Sequence, residues 1–254
     1  MDELQYHSAG LTDVGQRRKL NEDAFMVDDT LGLYVVADGM GGHAAGEIAS
    51  QEAVDTVHGM VTRGHDALDR VAQGDTSEDS LRRAIRIVES AVQAATYMVF
   101  GLAQHAPEQQ GMGTTVSVLV MCGDYAITAQ VGDSRIYLIR GHEVDPLTED
   151  HTLVAWQVKQ GIITEAEAAR SPHRNVITRA VGSREYVQVD TGFLEVQPSD
   201  AFLLCSDGLH GYLQEAEIPD VIDMGPRGAA ERFIHMANSR GGRDNITAVV
   251  VTVR

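Results

Sequence analysis

The spacing of hydrophobic and polar positions changes period several times along the chain, and each change predicts an element. Leu11 to Asp23 is polar and carries three consecutive basic residues; the short apolar run Ala24 to Val27 follows at once. This reads as a loop between two strands, with Asp23 at the entry to the second. Leu33 to Ala37 (LYVVA) is an apolar run that ends at Asp38, and Gly39, Gly41, Gly42 and Gly46 follow. The pattern predicts a strand that delivers Asp38 to a bare loop, where missing side chains leave room for an ion or a phosphate. From Gly46 to Arg63, Ala53, Val54, Val57, Met60 and Val61 form the stripe of an amphipathic helix. A polar connector from Gly74 to Ser80 offers Asp75, Thr76 and Ser77 as N-caps, and Leu81, Ile85, Val88, Val92, Ala95, Val99 and Leu102 mark a second, longer helix. Two helices are therefore expected after the first strands.

Beyond them the period drops to that of strands. Thr114 to Cys122, Tyr125 to Val131 and Arg135 to Arg140 are β-branched or apolar runs separated by Gly123-Asp124 and Gly132-Asp133-Ser134, with another turn at Gly141-His142. They predict an antiparallel meander. Thr148 to Gly182 is less regular: it holds Trp156, a capping box at Thr164 and Glu167, and the break Ser171-Pro172-His173-Arg174. This segment reads as a flap packed on a sheet edge. Gln188 to Glu195 and Ala201 to Ser206 are strands, the latter ending at Asp207-Gly208. Helical patterns cover about Gln214 to Met224 and Arg227 to Arg240, and Ile246 to Val253 is a closing strand. No linker, repeat or low-complexity run divides the chain, so residues 1–254 are expected to form one domain, with the flap at about 148–182.

Composition narrows the partners. A formal charge of -17 and a pI near 4.8 argue against nucleic acid and anionic lipid. Cys122 and Cys205 sit apart inside apolar runs, which fits buried thiols in a reducing cytoplasm. The N-terminal sequence lacks the basic and apolar regions of a signal peptide, and no apolar run approaches the ~20 residues of a membrane span. A soluble cytoplasmic protein, with a monomer as the default, is expected.

The chemistry lies in the aspartates. Asp23 leads into a strand, Asp38 and Asp207 each follow an apolar run and precede a glycine, and Asp244 stands just before the last strand. If the strand ends are neighbours, these carboxylates need a compensating cation. Oxygen donors without cysteine or clustered histidine select Mg²⁺ or Mn²⁺ rather than zinc. Asp133, at a strand turn, is a fifth candidate. Among the basic residues, Arg18 is suited to a bidentate grip on phosphate.

The segments TDVGQRRKLNEDAF, VVADGMGGHAAGE, GMGTT, VGDSRIY, LLCSDGL and GGRDNIT, in this order from about Leu11 to Val253, resemble the metal-dependent type 2C Ser/Thr protein phosphatases in their compact bacterial form. The resemblance implies an α+β fold, an αββα sandwich of two antiparallel sheets with helices on both outer faces. It implies that Asp38 bridges two Mg²⁺ or Mn²⁺ ions, that the Gly39 carbonyl is a ligand of one, and that Asp207 and Asp244 hold the other. Asp23 would hold the site directly or through water, Glu22 would assist through water, and Asp133 would bind a third, weaker metal. Arg18 matches the phosphate-binding arginine, and Asn175 in the flap lies where some members contribute to the extra metal. The reaction implied is direct hydrolysis of phosphoserine and phosphothreonine by metal-activated water, opposing a Ser/Thr kinase. Many members place histidine directly after Asp-Gly, where this chain has Met40, so His43 is the nearest candidate to protonate the leaving oxygen. The alternatives are a phosphoprotein-binding module on the same fold and a hydrolase of small phosphate esters.

Overall fold

The computed structural model describes residues 4–41, 45–105 and 107–254. Among them, two antiparallel sheets face each other. One has the order β1 (Tyr6–Asp13), β11 (Ile246–Val253), β10 (Ala201–Cys205), β7 (Arg135–Arg140), β8 (Glu143–Pro146). The other has the order β2 (Asp23–Asp28), β3 (Leu33–Met40), β5 (Val116–Cys122), β6 (Tyr125–Val131), β9 (Asp190–Glu195), and the short β4 (Gly113–Thr114) extends the end of β3.

The layering follows from the two-residue period of strands. Tyr34, Val36, Leu119 and Met121 of one sheet meet Phe202, Leu204, Val249 and Val251 of the other in a core between the sheets. Their sequence neighbours Leu33, Val35, Val118 and Val120 point the opposite way, against α1 (Ala45–Arg63), α2 (His65–Ala72) and α3 (Glu78–His105). On the far side, Leu203, Cys205, Ala248 and Val250 pack with residues of α7 (Ile218–Ile222) and α8 (Gly225–Ser239). Both faces of the central strands are thus covered, which is why β5 is apolar at nearly every position and wholly buried. The αββα sandwich implied by the resemblance is the observed architecture.

Three local features differ from the sequence expectation. Three helices, not two, follow β3: α2 buries only Leu68 and Val71, too sparse a stripe to stand out against its polar surroundings. The predicted meander is broken, because β5 and β6 form a hairpin in one sheet whereas β7 hairpins with β8 and pairs with β10 in the other. The crossing occurs at Gly132, whose φ of 106° is open to glycine. Finally, β3 does not stop at Asp38. Asp38 pairs with Asp23, Gly39 with Thr114 and Met40 with Gly113, so the sequence taken for a bare loop is still ladder.

The flap leaves β8 and returns through two bridges, Thr152 to Ile177 and Thr114 to Val181. It carries α4 (Leu153–Lys159), capped by the Thr152 side chain accepting from Ala155 N–H, and α5 (Glu165–Ala168), whose capping box joins Thr164 and Glu167 as the sequence predicts.

Candidate metal centre and catalytic cleft

Antiparallel pairing sets Asp23 directly opposite Asp38. Such cross-strand partners have Cβ atoms about 5 Å apart, a spacing at which like charges repel. Asp23 is buried and reaches across to the other sheet: its Oδ2 accepts from Ser206 Oγ at 2.8 Å and Thr247 Oγ1 at 2.6 Å. Its Oδ1 is buried and has no hydrogen-bond partner. The Asp38 backbone is fixed by Thr115, which accepts the Asp38 N–H at Oγ1 (2.9 Å) and donates its own N–H to the Asp38 carbonyl (2.8 Å).

The remaining carboxylates arrive from the other sheet. Asp207 opens α6 (Asp207–His210) directly after β10. Asp244 precedes β11 and accepts from Arg18 Nη2 at 2.7 Å, so Arg18 stands at the site with half its side chain exposed. Asp133 is buried in the turn between β6 and β7. Glu22 turns toward the start of α1, where its carboxylate accepts the Gly46 N–H, and its main-chain carbonyl takes the Gly39 N–H at 3.0 Å. Asn175 is exposed on the flap. His43 lies outside the described residues.

Burial first, and mutual proximity second, set the electrostatics. Burial, then Asp23, Asp207, Asp133 and Asp244, hold the Asp38 carboxyl well above the usual aspartate range. Burial raises Asp23 to about 7, against the lowering effect of its Thr247 and Ser206 hydrogen bonds. Asp133 is raised to about 7 by burial and then by Asp207, and Asp207 is raised by burial and Asp244 while sharing a hydrogen bond with Asp38. Burial also raises Glu22. These groups cannot all be ionised at neutral pH unless positive charge joins them.

The donor set fits a hard divalent cation. It consists of carboxylates, and the unpartnered Asp23 Oδ1 is an acceptor in need of a cation or a bound water. Among the described residues, no three His, Cys, Asp or Glu side chains close into a ready-made cage. Oxygen donors of this kind suit Mg²⁺ and Mn²⁺, which keep part of their water shell and bind through few protein oxygens. Gly39 has a further reason to lack a side chain: a Cβ there would collide with the Gly46 carbonyl and lie 2.6 Å from that of Glu22.

A cleft of about 870 Å³ opens between these carboxylates and the flap. Asp133, Asp207 and Asp244 line one wall and Val154, Val158 and Asn175 of the flap line the other; Arg135, paired with Asp150, and Lys159, Arg174 and Arg243 also border the cleft. The fold recurs in known proteins. The sequence pattern of the family described as protein phosphatase 2C matches residues 15–245. The chain belongs to the protein phosphatase 2C family. It is 36% identical over 248 residues to the protein phosphatase PhpP of Streptococcus pneumoniae, covering 96% of each chain. The Mycobacterium tuberculosis serine/threonine phosphatase PstP/Ppp superposes with a TM-score of 0.84 at 32% identity over 98% of each chain. The catalytic domain of PstP in complex with two manganese ions gives a TM-score of 0.82 at 32% identity, over 98% of this chain and 99% of that one.

Several residues that build this phosphatase-family site are not apparent in the sequence. Asn245 accepts the Glu22 N–H at Oδ1 and donates to the Val14 and Leu20 carbonyls, so it holds the Arg18 loop against Asp244. Ser206, Thr247 and Thr115 position Asp23 and Asp38. Their one sequence signal is polarity inside otherwise apolar strands, as at Thr247 in ITAVVVTV.

Proposed function

We propose that this chain hydrolyses phosphoserine and phosphothreonine in proteins with the help of two Mg²⁺ or Mn²⁺ ions. The observation that carries the proposal is the convergence of Asp23, Asp38, Asp207 and Asp244 on one face, where burial and neighbouring carboxylates drive Asp23, Asp38 and Asp207 toward protonation. In this reading Asp38 with the Gly39 carbonyl, Asp207 and Asp244 hold the ions. Asp23 and Glu22 support them, and Asp133 with Asn175 serves a third, weaker ion. Divalent ions bound there would lower the pKa of water to give a nucleophile and would offset charge on the phosphoryl oxygens.

The chain's own groups supply orientation. Arg18, beside Asp244 and open to solvent on one side, is the guanidinium within reach of a phosphate at the centre. Thr115 and Asn245 fix the backbone on which Asp38 and Asp244 ride. The open cleft accepts an extended peptide segment, which favours protein substrates over small phosphate esters. A Ser/Thr kinase acting on the same substrates, a cytoplasmic location and a monomeric state complete the proposal. Among the described residues no helix is long and apolar enough to cross a membrane.

The test is phosphate release from phosphothreonine peptides, with Mn²⁺ or with EDTA, by the wild type and Asp38→Ala. Release by the wild type with Mn²⁺ alone is expected. No release from the wild type, or equal release from the variant, refutes the proposal.

A further inference from the structure

The turn that carries Asp133 is gripped from two sides by histidines. His151, buried at the root of the flap, occupies both polar backbone groups of Gly132: its ring Nδ1 accepts the Gly132 N–H at 3.1 Å, and its main-chain N–H donates to the Gly132 carbonyl at 2.9 Å. With Nδ1 an acceptor, the proton of the neutral ring sits on Nε2 and is given to Asp190 Oδ2 at 3.0 Å. From the opposite side comes His210, the last residue of α6, the helix that begins with Asp207. His210 Nε2 donates to the Asp133 carbonyl at 2.9 Å.

Turns are ordinarily closed by their own backbone. Here the two residues of the crossing use imidazoles from two distant segments, and the hold is on the main chain, leaving the Asp133 side chain free to face the cleft. We propose that His151 and His210 are positioning residues that fix the Gly132–Asp133 backbone and thereby place the Asp133 carboxylate for a cation. The proposal rests on the reading of Asp133 as a ligand of a weaker, third ion.

The two rings use different nitrogens, and that gives a test with opposite signatures at the two positions. An asparagine amide reaches the place of Nδ1 and a glutamine amide the place of Nε2. His151→Asn therefore preserves the side-chain contact to the Gly132 N–H where His151→Gln loses it, both keeping the main-chain bond to the Gly132 carbonyl, whereas His210→Gln preserves the contact to the Asp133 carbonyl where His210→Asn loses it. Calorimetric titration with Mn²⁺ separates a weak site from tight ones without any activity measurement. Loss of a supporting contact to a metal ligand is expected to weaken the weak site about tenfold or more. His151→Gln and His210→Asn should show that loss, and His151→Asn and His210→Gln should stay within about threefold of wild type. A merely structural role would rank both positions by lost volume, not in opposite orders.

Equal weak-site affinity in all four variants, or the same order of Asn and Gln at both positions, overturns the proposal. Should the buried His151 variants fail to fold, the His210 pair alone decides, since that ring borders the cleft. Asp133→Asn, titrated in parallel, separates the two levels. If it removes the weak site while His210→Asn leaves it intact, the positioning role fails and the ligand reading stands. If Asp133→Asn keeps the weak site, the ligand reading fails and the proposal falls with it.

Discussion

Metal-free protein should lose stability as the pH rises through the range in which Asp23 is forced to ionise. Asp23 has a pKa of about 7 in the folded chain against 3.8 for an ordinary aspartate, because burial disfavours its charge more than Thr247 and Ser206 favour it. A carboxyl whose pKa is raised by folding binds its proton more tightly in the folded state. Stability is therefore greatest at and below the unfolded value and declines as the pH climbs to the folded one. At about 1.4 kcal/mol per pH unit the gap corresponds to about 4 kcal/mol. Asp23→Asn removes the titration but keeps an oxygen to accept from Ser206 and Thr247; the unpartnered amide N–H is a cost that does not vary with pH, and relief of Asp38 from a charged neighbour moves the difference in the same direction. Urea unfolding in EDTA at several values between pH 4.5 and 8 measures both proteins. Part of the gap lies below pH 4.5, so the free energy of Asp23→Asn relative to wild type should rise by about 3 kcal/mol across the range. Mn²⁺ should flatten the wild-type curve by matching the carboxylate charge. A difference that is independent of pH in EDTA would refute the reasoning, since Asp23 would then ionise equally easily in the folded and unfolded chains.

Thr247→Val keeps the shape of β11 but removes the 2.6 Å hydrogen bond to Asp23. It should cost about 1.5–3 kcal/mol in urea unfolding of the EDTA-treated protein at pH 8, as loss of a hydrogen bond to a charged group does, and much less at pH 4.5. Gly39→Ala drives a Cβ into the Gly46 carbonyl between β3 and α1. A thermal melt should show a loss of about 3 kcal/mol, and Mn²⁺-dependent phosphate release should fall with it. Arg140 grips Asp200 with Nε at 2.8 Å and Nη2 at 2.7 Å, and the Asp200 side chain is 1% exposed. Arg140→Met should therefore destabilise by about 3 kcal/mol through an unpaired buried carboxylate, yet leave phosphate release per folded molecule unchanged, because the pair is not among the residues of the centre.

The layered fold was legible wherever hydrophobic period speaks alone: β6, β7 and β11 have the bounds their runs predict, and the long α3 follows its stripe. It was not legible where a local signal has two outcomes. Gly132-Asp133-Ser134 reads as a hairpin turn whether the chain stays in its sheet or crosses to the other, and only the competition of β10 for β7 settles which. Asp38-Gly39 reads as a loop because glycine favours one, but the partner that keeps it in a ladder, β4, is two residues long and lies far along the chain. At the site, the aspartates stood out because each ends or begins a strand. Asn245, Ser206, Thr247, His151 and His210 did not, because their roles are defined by backbone groups and carboxylates remote in sequence. Single polar residues in apolar runs carry no label saying what they meet.

The central claim is that the converging carboxylates form a two-ion centre built around Asp38. Equilibrium binding of Mn²⁺ to wild type and Asp38→Ala, by calorimetry at neutral pH, tests it most directly. The account predicts two tightly bound ions per wild-type chain, and for Asp38→Ala a loss of affinity of about a hundredfold or more at both sites. Two ions bound by Asp38→Ala as tightly as by wild type would contradict it.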